Sequence, residues 1–261
     1  MNHQGQGRRI YEKLIRFLDK QKTSTTFPDQ LMLEIAKFFL GTPYVAGTLE
    51  KEKAEHLVVN LREYDCMTFV ETVLALAWHL KSRQKSFEAL RRSLQKIRYR
   101  QGRLQGYSSR LHYFSDWMHD NHKKGTVRNV TVEIGGKPLR KTMTYMTTHP
   151  DLYSPLKNNA NFQRMKSVER MISKRPLYFI PKKALRRLED RIRDGDLIAI
   201  TTNTEGLDVQ HVGLAARVKN RIHLLHASSA ERKVVLSKKT LCRYLIQSKV
   251  RSGIMVARVF G

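Results

Sequence analysis

Of the two cysteines in 261 residues, Cys66 is the one placed for chemistry. It follows Asp65, a residue type that favours the N-cap, and precedes Phe69, Val70, Val73, Leu74, Leu76, Ala77 and Leu80, which recur at helical spacing. A thiol at such a first turn faces the positive end of the helix. The unpaired N–H groups there favour a thiolate, the form that attacks carbonyl carbon. The same spacing also accommodates a partly buried, inert cysteine. A nucleophilic thiol needs a general base within hydrogen-bond reach and a third group that holds the base. Ten histidines are available, and His211, His223 and His226 each read, taken alone, as ordinary strand residues.

The elements that would bring these groups together come late in the chain. In Val209 to Val218, Val212, Leu214 and Ala216 form one face, while His211 shares the other with Gly213 and Ala215, a face with room for a packed helix end. Lys219-Asn220-Arg221 reads as a tight connection, so Ile222 to Ser228 pairs back antiparallel and brings His226 to Ser229 beside His211 to Leu214. His226 or Ser228 is then placed to orient the imidazole.

Earlier segments read mostly as helices: Arg8 to Lys20, Asp29 to Leu40 ended by Gly41, Ser86 to Arg98, Ser109 to Asn121, Asn161 to Lys174 and Lys182 to Arg193. Thr48 to Glu63 is charged and irregular. Val127 to Ile134, with a turn at Gly135-Gly136, predicts a hairpin into Arg140 to Thr147, and Leu177 to Ile180 a short strand. From Asp194 the pattern becomes strands, at Leu197 to Thr201, Val209 to Val218, Ile222 to Ala227, Val234 to Leu236 and Ile254 to Phe260, interrupted by a helix at Lys239 to Gln247. Helices first and an antiparallel sheet last is the α+β pattern.

Composition bounds the partners. With 41% hydrophobic residues the chain can bury a real core, in one large domain or two small ones. Lys and Arg number 49 against 23 Asp and Glu, a net charge of +26, which fits nucleic acid, an acidic membrane surface or anionic envelope polymers, or else a solvated basic face. Two cysteines make no disulfide framework, and there is no Cys-x-x-Cys or His-x-x-x-His. The one His-x-Asp, His149-Pro150-Asp151, lies in a proline-bearing loop, so neither metal nor cofactor is expected. Cys242, among Leu241, Tyr244 and Leu245, reads as core. No apolar run approaches the ~18 residues of a membrane span, and Met1 to Gly7 is polar. The protein is expected either to be cytosolic or to have had a leader removed.

One further cluster, Arg110, His112, Asp116 and Trp117, has the residue types of a sugar and carboxylate contact, since an aromatic face suits a pyranose and Arg suits a carboxylate. It equally fits a surface helix whose Trp117 packs on the core. Glu71, one turn beyond Thr68, reads as structural.

Five stretches taken in order resemble the motifs of the NlpC-type papain-like cell-wall peptidases: Gly41 to Gly47, Asp65-Cys66, Asp194 to Ile198, His211 to Leu214 and Leu225 to Ser228. The longer sequences Asp65 to Glu71 with Leu74 to Ala77, and Arg110 to Trp117, resemble one branch of that group. This is the N-acetylmuramoyl-L-alanine amidase-like family of bacterial envelopes, over about Asp29 to Gly261. The resemblance implies an α+β papain-like core, with the catalytic-cysteine helix packed on a C-terminal antiparallel sheet. It also implies hydrolysis of the amide between the muramoyl lactyl group and L-Ala, in some members preferentially on 1,6-anhydro muropeptides. Cys66 matches the nucleophile, His211 the base and His226 the orienting residue, with Ser228 or His223 as alternatives. Tyr44 matches a tyrosine near the oxyanion, and Asp65 stands beside the substrate.

Three features depart from the commoner pattern. Met67-Thr68 replaces Ser-Gly after the cysteine. The cysteine and histidine are 145 residues apart, from 66 to 211, so helical and hairpin insertions must occupy Ser82 to Arg193. The hairpin from His211 to His226 is also longer than usual.

The expectation is a single catalytic domain over 1–261, with an N-terminal helical extension (1–28), the catalytic-cysteine region (29–81), insertions (82–193) and the sheet carrying His211 (194–261). It is expected as a monomer of the periplasm or cell envelope, cytoplasm being the alternative, acting on peptidoglycan fragments or muropeptides and contacting anionic envelope polymers rather than specific nucleic acid. Rival readings are an endopeptidase cutting the stem peptide, a basic nucleic-acid-binding module drawing on the Arg91 to Arg103 run, and acyl transfer on lipid.

Overall fold

The computed structural model describes residues 3–21, 28–50, 54–81 and 86–260; Met1, Asn2, Gly261 and the expected start of the insertions, Ser82 to Lys85, lie outside them. The helices are α1 (His3–Lys20), α2 (Pro28–Phe38), α3 (Cys66–Lys81), α4 (Phe87–Arg98), α5 (Phe114–Lys123), α6 (Thr131–Ile134), α7 (Tyr145–Thr148), α8 (Asn159–Ser173), α9 (Leu185–Leu188) and α10 (Leu241–Ile246). The strands are β1 (Val127–Asn129), β2 (Lys137–Leu139), β3 (Leu177–Pro181), β4 (Leu197–Thr202), β5 (Val209–Val218), β6 (Arg221–Ser228), β7 (Lys233–Thr240) and β8 (Arg251–Val259). They form one sheet ordered β2-β3-β8-β4-β5-β6-β7, with β1 added to β8, and every pairing is antiparallel. The fold is α+β, as the order of elements predicts.

Alternation along the strands divides the core. Leu197, Ala199, Val212, Leu214, Ala216, Leu225, Ala227, Met255 and Ala257 face the main cluster with α1, α2 and α3. Ile198, Ile200, Ala215, Ile222, Leu224, Ile254 and Val256 face a second cluster that receives Leu241, Cys242 and Leu245 of α10. Helix α3 is apolar on all sides and buried, as its near-continuous hydrophobic sequence requires. Its one buried acid, Glu71, accepts a 2.7 Å hydrogen bond from Arg98 Nε, so Glu71 is structural. Helix α1, expected as an extension, puts Tyr11, Leu14 and Leu18 into the main cluster, and Tyr11 Oη lies 2.7 Å from His79 Nε2.

Three expected elements differ. The helix expected from Ser109 begins only at Phe114, because Arg110 and Leu111 run extended beside the end of α4, where Leu111 N–H donates to the Arg98 carbonyl. The expected hairpin is absent: β1 pairs with β8 and β2 with β3. Between them Thr131–Ile134 coils into one helical turn, closed by Gly135 at φ 118°, a conformation glycine adopts readily. The helix expected over Lys182 to Arg193 shrinks to Leu185–Leu188 and a 3₁₀ turn, since the Glu189 carboxylate is drawn inward to accept from Ile222 N–H and Arg221 Nε.

Candidate active site

The start of α3 is fixed by a reciprocal cap. Thr68 N–H donates to Asp65 Oδ1 at 2.7 Å, while Asp65 N–H donates to Thr68 Oγ1 at 3.0 Å. This gives Met67-Thr68 a physical meaning, because the hydroxyl closes the cap. Asp65, expected beside the oxyanion or substrate, spends Oδ1 and its N–H on the helix start. Cys66 is the first helical residue, and its partly exposed thiol faces the backbone N–H groups of Cys66, Met67 and Val212.

Val212 is available because the β5–β6 ladder is incomplete. It runs from Val218 and Arg221 to Leu214 and Leu225 and stops, leaving the His211 end of β5 apart from β6. At the closed end Lys219 (φ 46°) and Asn220 (φ 63°) make a two-residue turn, the tight connection expected there, with Arg221 already in β6. Helix α3 packs on the Val212, Leu214 and Ala216 face, not on the His211 face where sequence reasoning placed a helix end. Val212, beyond the last rung of that ladder, is the β5 residue whose N–H meets the sulfur.

His211 Nε2 lies 2.6 Å from His226 Nδ1, with the rings nearly perpendicular at 86°. Gly213 permits this approach, because a Cβ there would come within 2.8 Å of His226 Cβ. His226 is 2% exposed. Neither alternative partner reaches His211: Ser228 Oγ accepts from Glu231 N–H, and His223 Nδ1 bonds the Ser237 carbonyl. Tyr44 is held beside the cysteine by its bridge to Tyr64, with Val45 N–H donating to the Tyr64 carbonyl. Burial, then Cys66 and Asp65, raise its phenol.

The electrostatics correct one expectation. Burial, reinforced by Asp65, pushes the Cys66 thiol up to about 12 against the three N–H groups, and burial, His226 and Arg251 bring His211 down to about 3. His226 falls to about 4, through burial and Arg251. These shifts favour a neutral thiol and neutral imidazoles near pH 7, against the thiolate that the helix N-terminus alone favours. Among the described residues no hydrogen bond joins Cys66 to His211, whose Nδ1 is free of partners.

The Arg110, His112, Asp116 and Trp117 cluster lies elsewhere. Trp117 is 0% exposed and stacks on Phe114, and Asp116, equally buried, takes hydrogen bonds from Arg100 and Arg175. These two are core residues, which corrects their reading as substrate contacts. Arg110 is nearly buried, donating to Glu50 with Glu55 3.5 Å away, and His112 Nε2 bonds the Tyr107 carbonyl at 2.9 Å. Conversely, Tyr244 adjoins both imidazoles and Arg251 lies over Tyr244, which no local spacing relates to residues 211 or 226. Among the described residues no group of His, Cys, Asp or Glu is arranged to hold a metal, and no helix is long and apolar enough to cross a membrane.

The sequence model described as N-acetylmuramoyl-L-alanine amidase-like matches residues 34–254. A crystal structure of an N-acetylmuramoyl-L-alanine amidase from Bacteroides uniformis is 41% identical and superposes with a TM-score of 0.85, covering 89% of this chain and 98% of that one. A Bacteroides fragilis structure provisionally named a xylanase is 42% identical with a TM-score of 0.81, covering 86% and 99%. A Legionella pneumophila protein, 24% identical with a TM-score of 0.70 over 98% of this chain and 94% of that one, shares the fold. No curated protein sequence matches the chain.

Proposed function

Because the chain belongs to the N-acetylmuramoyl-L-alanine amidase-like family, we propose that it cleaves the amide between the muramoyl lactyl group and L-Ala of peptidoglycan fragments, with Cys66 as nucleophile. The observation that carries the cysteine mechanism is the 2.6 Å contact between His211 Nε2 and His226 Nδ1, next in sequence to the Val212 N–H that faces the thiol. It commits Nε2 of His211 to His226 and leaves Nδ1 as the base. His226 fixes the tautomer, as the third member of a triad does.

Both partners start neutral, so the thiol proton passes to His211 Nδ1 as sulfur attacks the carbonyl. The Cys66 N–H and the Tyr44 hydroxyl meet the oxyanion. His211 then returns the proton to the departing amine of L-Ala, and in the second half-reaction takes one from the water that releases the acyl group. No metal or cofactor enters these steps. A glycosidase in the sense of the xylanase name would need two facing carboxylates, whereas the carboxylate next to Cys66 is tied into the helix cap.

The reading extends to a papain-like core of NlpC type and to one catalytic domain, with residues 82–193 as insertions. It places the enzyme in the periplasm or cell envelope and has it prefer 1,6-anhydro muropeptides. The charge of +26 favours anionic fragments. The test is mass spectrometry of products from reducing and 1,6-anhydro muropeptides with the native chain, Cys66→Ala and His211→Ala. Free peptide beginning with L-Ala is expected from the native chain alone. Release of a dipeptide would make the enzyme an endopeptidase, and activity persisting in Cys66→Ala would overturn the mechanism.

A further inference from the structure

Tyr244 and Arg251 have no part in the chemistry above, yet Tyr244 is built against the two imidazoles and Arg251 against Tyr244. Helix α10 is capped by Thr240 and anchored in the second cluster by Leu241, Cys242 and Leu245. It sets the Tyr244 ring 5.7 Å from that of His226 and 6.4 Å from that of His211. From the start of β8 the Arg251 guanidinium covers the same ring, its carbon 3.9 Å from the centroid, and Nη1 donates to the Tyr244 carbonyl. We propose that Tyr244 and Arg251 are a positioning pair for the His211–His226 couple: the ring walls both imidazoles, and the guanidinium clamps the ring and sets a fixed positive charge behind it. The proposal rests on the reading of His211 as the base.

The charge arrangement sets Arg251 apart from other arginines of the fold. Arg98, Arg110 and Arg258 each meet a carboxylate. Among the described residues Arg251 meets none, and its buried Nε has no hydrogen-bond partner. Its guanidinium is held instead by the ring and carbonyl of Tyr244. Tyr244 of α10 and Arg251 of β8 act on or wall the imidazoles, and Cys66 of α3, itself beside Asp65 and Tyr44, acts on Tyr244. Of these, Arg251 is the fixed cation, and its field opposes protonation of both rings, reinforcing burial. Two consequences follow for catalysis. The free base waits unprotonated, and the imidazolium formed during attack is a stronger acid toward the leaving amine.

The test combines side-chain NMR titration of His211 and His226 with the pH dependence of kcat and KM on muropeptide, in the native chain, Arg251→Gln, Arg251→Lys and Tyr244→Ala. Removing the charge should raise both histidine midpoints by about half a unit to one unit, and the acid limb of the rate profile with them. Arg251→Lys keeps the charge and should keep the midpoints. Tyr244→Ala should lower kcat by about tenfold with KM within about twofold, as expected for disordered positioning of a base. Unchanged midpoints in a folded Arg251→Gln would overturn the proposal; if that variant does not fold, an unchanged kcat in Tyr244→Ala would overturn it. The titration uses no substrate, so it stays decisive for the pair even if Cys66→Ala proves active and the amidase reading falls.

Discussion

Asp65 and Thr68 exchange hydrogen bonds across the first turn of α3, each backbone N–H meeting the other's side chain. The sulfur of Cys66 is thereby fixed between a capped helix and the part of β5 beyond its ladder with β6. Asp65→Ala should cost about 1 kcal/mol of stability, as the loss of a good N-cap does. If the cap also holds the nucleophile, kcat should fall by more than that loss of folded protein explains. Urea melts and single-turnover kinetics on the same preparation check both halves.

His226→Ala should lower kcat by roughly 100-fold while KM changes little, because the variant leaves His211 free to adopt the wrong tautomer or orientation. Ser228→Ala should leave kcat nearly unchanged, since Ser228 Oγ serves the backbone of Glu231. Steady-state rates on a defined muropeptide distinguish these outcomes.

A thiol pushed up to about 12 by burial is almost wholly protonated at neutral pH. Alkylation of Cys66 by iodoacetamide should therefore be slow at pH 7 and should accelerate about tenfold per pH unit through pH 9. Peptide mapping separates it from the buried Cys242. A plateau of reactivity below pH 7 would show that the thiolate–imidazolium pair is present at rest after all.

His211 and His226 also tie stability to pH. Folding lowers both below the ordinary histidine value, to about 3 and about 4, and unfolding restores it. Above pH ~6.5 both states are neutral and the contribution is flat. Below it the unfolded chain binds the extra protons, so stability falls as the pH drops toward 4. Each histidine accounts for at most about 1.4 kcal/mol per pH unit. Urea melts at pH 7.5, 6 and 5 should show the decline, and a His211→Gln, His226→Gln double variant should show a shallower one.

The Glu71–Arg98 pair is buried at both ends. Glu71→Ala leaves an unpaired guanidinium between α3 and α4 and should cost about 3–5 kcal/mol, read as a large drop in the urea midpoint.

What the chain discloses before folding is uneven, for physical reasons. Helix α3, its cap and the late strands are legible because periodicity and capping act over a few residues. The His211–His226 meeting is legible because a two-residue turn fixes the register of β5 against β6. Thr131–Ile134 and Lys182 to Arg193 mislead because their structures answer to distant partners, Val256 for the first and Arg221 with Ile222 for the second. Trp117 misleads for the same reason: polar neighbours in sequence say nothing of the apolar residues that enclose it. The altered states of Cys66 and His211 were illegible as well, because burial, which overrides the helix terminus there, is a property of the assembled core.

Because the β5–β6 ladder ends at Leu214 and Leu225, extending it and hydrogen-bonding the thiol are alternatives. The Val212 N–H that faces the sulfur is the group an added rung of the ladder would claim. A further strand rung there would therefore compete with Cys66 for that hydrogen-bond donor.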